Sequence, residues 1–409
     1  MLRGMSRGYR WRIAAAGVVL QIVLGAVYAW SVFRNPLAAL YGWSGAQITL
    51  TFTIAILVLG FSAFPGGLWM ARRGPRVVAM TGGALYGLGV FLASFTGGRL
   101  WWLYLTYGLI GGVGLGLGYI VPVAVLVKWF PDRRGLITGV AVGGFGAGAL
   151  IMAPLATRLI ASLGVMTTFA LVGAASGLLA VAAGSLMQNP PDGWQPEGWQ
   201  PATLATTGST GPGARRDYQL GEAVRTGRWW GLWLILFLNI TAGISLISQE
   251  APIFQELGSL SAATAAAMVG VASLGNALGR VGWAWLSDVL GRRLVFAAIF
   301  LLQALLFWLL PSTSGQLALT TIAFVILTCY GGGFGTMPAT VADVFGPRNV
   351  GAIYGLMLTA WGLASAFGPL LIATMREQAG SYAGSLHAIA GLMLISTLLP
   401  LLARVGAGR

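Results

Sequence analysis

Charge is scarce in this chain, and the side chains that usually do chemistry are scarcer still: one cysteine, one histidine and ten acids among 409 residues. The single cysteine, Cys329, cannot form a disulfide within the chain, and its place in an apolar run makes a small buried hydrophobe its expected role. His387 stands at a span boundary and reads as an interfacial residue rather than a proton relay. No paired carboxylates, metal-ligand cluster or activated nucleophile can be assembled, so neither an enzyme nor a metal or other cofactor is expected. Only 8% of residues are charged, against roughly 25% in an average soluble domain. With 57% hydrophobic residues and a mean hydropathy of +0.80, the chain reads as a polytopic, all-α membrane protein. The net charge of +14 does not point to nucleic acid, because the arginines punctuate hydrophobic runs instead of clustering with aromatics.

At about 20 apolar residues per span, the chain predicts twelve helices: 11–32, 47–70, 77–96, 101–127, 135–161 and 165–187, then 229–248, 262–286, 294–311, 317–342, 350–374 and 385–402. The basic start (Arg3, Arg7, Arg10, Arg12) resembles that of a signal peptide, but the span behind it is too long and is expected to be retained. Placing the N-terminus in the cytoplasm puts nineteen of the 24 Lys+Arg on the inner side and four (Arg34, Arg99, Arg158, Arg376) on the outer. That asymmetry predicts cytoplasmic termini in a cell membrane. Residues 188–228 are rich in Pro, Gly and Thr, duplicate the motif GWQP at Gly193 and Gly198, and read as a flexible cytoplasmic linker. The expected organisation is a bundle over 1–187, this linker, and a second bundle over 229–409.

The two halves repeat one another. Pro122, Pro131, Gly135 and Gly139 recur as Pro338, Pro347, Gly351 and Gly355, all four at one constant offset. GLWMARRGPR from Gly67 is echoed by AWLSDVLGRR from Ala284. Parallel repeats of six helices place a substrate site near the midplane between the halves, reached by rocking of one against the other. The runs GVGLGLG (from Gly112) and GGGFG (from Gly331) look like dinucleotide loops, but no strand precedes them, and close helix packing is the better reading. Pro122 and Pro338 are placed to bend their helices.

One charge stands apart. Arg280 lies within the apolar stretch around VGVASLGNALGRVGWAWLSDVLGRR, where an arginine costs about 2.5–3.5 kcal/mol on insertion scales and needs a partner or a polar cavity. A carboxylate can receive two parallel bonds from its guanidinium; a permanently paired neighbouring acid is the plainer alternative. Carried back by the offset between the two loop copies, Arg280 falls on Ala63 and Asn276 on Leu59. A charge present in only one copy of a repeat argues for function over framework.

Both loop copies resemble the signature of the major facilitator superfamily. The second is nearly complete, with Leu286, Asp288, Gly291, Arg292 and Arg293, whereas the first has Ala71 where the acid belongs. The resemblance implies a fold of two pseudo-symmetric six-helix bundles and a cytoplasmic gate built from Asp288, Arg292, Arg293, Arg72 and Arg76. GAVYAWSVFRNPL from Gly25 resembles the first helix of the oxalate:formate antiporter family. The Gly279-Arg280 to Ser287-Asp288 segment is similar to that family and to the monocarboxylate transporters, and the whole is most like the bacterial L-lactate transporters of that group. By this likeness Arg280 is expected to hold a substrate carboxylate. Asn276, one turn before it, would hold the guanidinium or a substrate hydroxyl, Tyr28, Tyr119 and Tyr330 would donate hydroxyls, and Phe145, Phe334 and Trp361 would bound the pocket.

Oxalate exchangers of the family carry a second cation, a lysine, where this chain has Trp361, and the chain's one lysine, Lys128, is at a helix end. One buried cation suits a monoanion. The resulting expectation is proton-coupled transport of small monocarboxylates, with L-lactate or pyruvate and a proton as partners, the lipid bilayer around a monomer, and no nucleic acid. An organic-anion exchanger is the alternative within the class. A non-transporting sensor is disfavoured by the short tail after Leu402. For the proton, Glu250 and Asp343 are the nearest acids, read as lying at opposite helix ends.

Overall fold

The computed structural model describes residues 7–130, 134–191, 218–346 and 350–402. Among the described residues there is no strand, and twelve helices are long and apolar enough to cross a membrane. In chain order these are α1 Gly8–Tyr41, α2 Gly45–Met70, α3 Pro75–Ala93, α4 Leu100–Leu126, α5 Gly139–Leu163 and α6 Val165–Ser185. The second six are α7 Gly227–Gly258, α8 Ala262–Leu290, α9 Arg292–Ser312, α10 Gln316–Phe345, α11 Ile353–Ala379 and α12 Ala383–Leu402.

Two helices run well past their expected ends. α1 continues to Tyr41 and α7 to Gly258, through the polar stretches Arg34-Asn35-Pro36 and Ser248-Gln249-Glu250, where hydropathy alone stops a span. Asn35 and Gln249 are tolerated there because residues from other segments partner them. Asn35 Nδ2 donates to Gln255 Oε1 at 3.1 Å, and Gln249 Nε2 donates to Thr49 Oγ1 at 2.5 Å while its Oε1 accepts from the Tyr382 hydroxyl at 3.0 Å. Glu250 is therefore not at a helix end, where hydropathy puts it, but inside α7 and 1% exposed.

The repeat is visible in the turns. The positive-φ residues Gly42, Gly74 and Gly98 (φ 69°, 82° and 79°) have counterparts in Ser259, Gly291 and Gly315 (φ 50°, 88° and 89°), the three pairs sharing the offset of the loop copies. Ser259 alone of the described non-glycine residues has a positive φ, a cost to an L side chain that the repeated turn geometry imposes. Gly74 and Gly291 share nearly one conformation (ψ 162° and 148°), so the loop signature has the same shape in both halves although the acid occurs in only one.

Small residues set how near the helices come. A side chain at Gly275 or Gly279 of α8 would overlap the carbonyls of Phe324 and Thr328, and one at Gly331 or Gly335 of α10 would overlap those of Asn276 and Arg280. α8 and α10 thus pack backbone against backbone, as membrane helices do where small residues permit. Between the halves, α5 lies along α8 and α2 along α11; Gly60 meets Gly362 at the second crossing.

At the end of the bundle remote from the termini, here called distal, hydrogen bonds cross between the halves: Asn35 to Gln255, Gln249 to Thr49, and the Ala46 amide to Glu377 Oε1 at 2.7 Å. Beside them Arg376 pairs with Glu256 at 2.9 Å. Burial pushes the Tyr382 phenol up to about 12, against the pull of Arg34 and Arg376, so the hydroxyl remains a donor to Gln249 at neutral pH. Of the expected linker, residues 192–217 lie outside the described residues. Its final part is not free chain: Leu220–Ala223 form a short helix, and the Tyr218 amide donates to the Phe345 carbonyl at 2.9 Å.

Gly335→Ala is expected to lower the apparent melting temperature of the purified protein by several degrees, because overpacking a tight contact costs about 1–3 kcal/mol. Gly282→Ala, with nothing within 4 Å of the added carbon, should leave it unchanged, and a thermal shift assay compares the two.

Candidate functional site

The site is built around Arg280 on α8. Asn276 precedes it by one helical turn, which puts both side chains on one face, and Arg280 Nε donates to Asn276 Oδ1 at 3.3 Å. The guanidinium carbon lies 4.7 Å from the centroid of Phe334, a cation–π contact. Nη1 and Nη2 are buried and make no hydrogen bond of normal geometry, although the Tyr119 and Tyr28 hydroxyls stand close to the guanidinium. Among the described residues no carboxylate pairs with Arg280, so the plainer alternative of a permanent acid partner finds no candidate there.

Aromatic side chains enclose this cation from both halves. α1 changes to a 3-10 turn over Ala26–Trp30, every residue of which is buried, and from it the Tyr28 hydroxyl meets that of Tyr330 at 2.7 Å. Gly25 on α1 lets the α5 backbone close in at Phe145, bringing the Phe145 ring edge-on to Tyr28 at 5.1 Å. Phe145 also meets Tyr119 of α4 at 5.2 Å and Trp361 of α11 at 5.7 Å. Trp361 lies 4.9 Å from Phe334 and 5.3 Å from Tyr119. Tyr28, Tyr119 and Tyr330 are all within electrostatic reach of Arg280.

All eight residues singled out for the pocket therefore come together, three from the first half and five from the second. None is more than 3% exposed, so the cluster is closed to water from both ends, and helices must move before anything reaches it. Trp361 Nε1 is a further buried donor without a partner. The local chemistry is one cation, phenols and an indole N–H within an aromatic wall: donors for a small anion, with apolar surface for a short carbon chain.

Two members of the cluster were not among the residues expected from sequence. Gln21 is fully buried, its Nε2 donates to the Tyr119 carbonyl at 3.2 Å, and its Oε1 is unpartnered. Tyr354 lies within electrostatic reach of Tyr119 and Arg280. Each stands two helical turns before a pocket residue, Tyr28 and Trp361 respectively, so a search at that spacing along α1 and α11 finds both.

The five residues expected to form a gate stand at the termini end. Asp288, with 66% of its side chain exposed, pairs with Arg292 four residues on at 2.7 Å, and Arg292 Nε reaches Asp343 Oδ2 of α10 at 3.1 Å. Arg292 also bonds the Ser287 hydroxyl, and Arg293 bonds the Pro400 and Leu401 carbonyls of α12. These contacts all lie within the second half. Arg72 and Arg76 are exposed at the matching ends of α2 and α3. Among the described residues, three hydrogen bonds cross from one half to the other at the distal end.

Comparison with known proteins agrees with this architecture. The oxalate:formate antiporter of Oxalobacter formigenes is 28% identical over 377 residues, spanning 91% of this chain and 86% of that protein. Monocarboxylate transporter 13 of Rattus norvegicus is 28% identical over 413 residues, spanning 95% and 87%. A solved bacterial homolog of the human lysosomal transporter Spinster, in an inward-facing and unoccupied conformation, superposes with a TM-score of 0.70 over 97% of both chains at 17% identity, a likeness of fold alone. Residues 16–369 match the Major Facilitator Superfamily. The chain belongs to that superfamily and is a membrane transporter of twelve spans.

Proposed function

We propose that the protein carries small monocarboxylates, L-lactate or pyruvate in kind, together with a proton, by alternating access, and that Arg280 binds the carboxylate. The observation that carries this reading is the pair of buried, unpartnered guanidinium nitrogens. An uncompensated cation in a dry interior costs several kcal/mol. A carboxylate lying against both nitrogens would remove that cost and gain two charge-assisted bonds. Tyr28, Tyr119, Tyr330 and Asn276 would orient the anion, and Phe145, Phe334 and Trp361 would cover its carbon chain. The names of the relatives, an oxalate:formate antiporter and a monocarboxylate transporter, support a carboxylate as the cargo.

A monoanion suits the single cation. Trp361, where the exchangers of oxalate are expected to carry a lysine, adds a neutral donor, and a second carboxylate left without a counter-charge would be strongly disfavoured. In this reading the termini and the loop signature face the cytoplasm of a cell membrane, in line with the excess of arginine on that side, and the distal end faces outward. The carrier works as a monomer of two bundles, 1–187 and 229–409. Exchange of two organic anions is the second reading, favoured by the 28% identity to the antiporter.

In proteoliposomes, an inward proton gradient is expected to drive uptake of labelled L-lactate, with pyruvate competing and oxalate having no effect. Arg280→Gln should lower uptake about 100-fold or more, as follows from losing two charge-assisted bonds at about 1.5–3 kcal/mol each. Uptake that ignores the gradient and requires preloaded anion would establish exchange instead, and unchanged uptake by Arg280→Gln would remove Arg280 from the site. Alternating access also requires the distal end to open. Joining Asn35→Cys to Gln255→Cys with a short bifunctional thiol reagent, in a Cys329→Ala background, should abolish uptake, while either single cysteine treated alike should retain it.

A further inference from the structure

α7 is buried over almost every turn from Asn239 to Phe254, and within that stretch lies Glu250. Its carboxylate has a buried oxygen, Oε1, without a hydrogen-bond partner, and among the described residues it forms no ion pair. Among the described residues, none of the other titratable or charged groups toward this end forms a hydrogen bond or ion pair with Glu250. On α1, Arg34 Nη1 donates to Asn35, while its Nε is buried without a partner. On α7 itself and on α11, Glu256 pairs with Arg376, and Glu377 accepts from the Ala46 amide. Tyr382, just before α12, donates to Gln249, and His387 of α12 lies against Trp308 of α9. On α10 Cys329 is a buried free thiol and Tyr330 bonds Tyr28. The distal halves of α8 and α9 contain no ionisable side chain. Left ionised here, Glu250 would be a buried charge with no ion-pair partner.

The position also links the group to the distal closure. Gln249, its immediate neighbour, bonds Thr49 of the first half, and Gln255, a turn and a half onward, bonds Asn35. Pro252 lies between them; it removes one N–H from the helical ladder and makes this turn the natural place for α7 to bend. Gly243, two turns inward on the face of Glu250, packs directly on the Tyr330 ring, so the same face leads to the anion site.

We propose that Glu250 is the proton-binding site of the carrier: a proton from the outer water neutralises it, and with the anion bound the distal end then closes over it with Gln249 and Gln255 bonded across the halves. This rests on the reading of the protein as a proton-coupled carrier. One proton and one monoanion enter from outside; after the distal end closes, the anion leaves Arg280 for the inner water and the proton leaves Glu250 past Tyr330 for the same compartment. Acid outside therefore promotes closure, and uptake rises as external pH falls.

Two measurements on the full chain test it. A pH-difference infrared spectrum of the purified wild type should contain the carbonyl stretch of a protonated carboxylic acid that titrates, and Glu250→Gln should lack it. In proteoliposomes, Glu250→Gln should lose gradient-driven L-lactate accumulation at least tenfold more than it loses exchange of external for internal L-lactate, and Glu250→Asp should recover part of the accumulation and its pH dependence. A spectrum unaltered by Glu250→Gln, or accumulation in that variant equal to wild type, would overturn the proposal. Equal loss of exchange and accumulation in both variants would assign Glu250 to structure and overturn it too. A titrating Glu250 band in a wild type that exchanges but never accumulates would instead overturn proton-coupled transport, leaving Glu250 as a proton site that governs closure.

Discussion

A single uncompensated cation sets the terms for this protein. Arg280 is 1% exposed, held through Nε by Asn276 and covered by Phe334, with its two outer nitrogens unpartnered. Keeping such a group away from water costs free energy, and under the proposed function that cost would be a source of selectivity: an anion that matches the guanidinium fork would relieve it, whereas a neutral molecule of the same shape would not. The aromatic wall strengthens the preference, since a charge interaction in a water-poor enclosure is worth more than the same interaction in water.

Placement of that cation depends on backbone contact. α8 and α10 meet through glycines so closely that a side chain at Gly335 would fall on the Arg280 carbonyl itself. The glycine-rich run of α10 consequently serves the site although its glycines have no side-chain chemistry to offer. Framework and chemistry separate along the same line as the repeat. Turn geometries recur between the halves at one constant offset, while at that offset Arg280 stands opposite Ala63 and Asn276 opposite Leu59. The duplicated part is the frame; the unduplicated part is the cation and the amide that holds it.

Much of this was legible in the sequence because a membrane makes few demands and makes them strictly. Span number follows from apolar length. The cluster around Arg280 was readable because an intramembrane arginine and mid-span tyrosines are out of place against lipid and belong where helices enclose polar groups. What was missed has a common cause. Hydropathy ends a helix at polar residues, so α7 was stopped before Gln249 and Glu250, in a stretch whose burial depends on partners from other helices, Thr49 and Tyr382, that no local window contains. Gln21 was overlooked for a similar reason: its partner, the Tyr119 carbonyl, lies on another helix. Asp288 pairs with Arg292 in its own loop, a partner that the spacing of four residues already offered.

The choice between symport and exchange turns on what the empty carrier does. An exchanger always crosses loaded, so under the proposed function Arg280 would always travel with an anion and its charge would always be covered. A symporter must return without cargo, carrying the guanidinium bare through the closed state, where burial of a lone cation opposes the step. An acid that is neutral when the carrier is loaded and ionised when it is empty removes the asymmetry. With anion bound, guanidinium and carboxylate cancel while Glu250 holds its proton; with anion gone, the ionised Glu250 offsets the guanidinium in net charge. Both crossing forms are then neutral overall. The requirement is one titrating acid for one fixed cation, and under the proposal α7 and α8 would supply that pair in Glu250 and Arg280, each 1% exposed. Because the requirement concerns net charge rather than contact, a glutamate that forms no ion pair with Arg280 can still belong to the same mechanism.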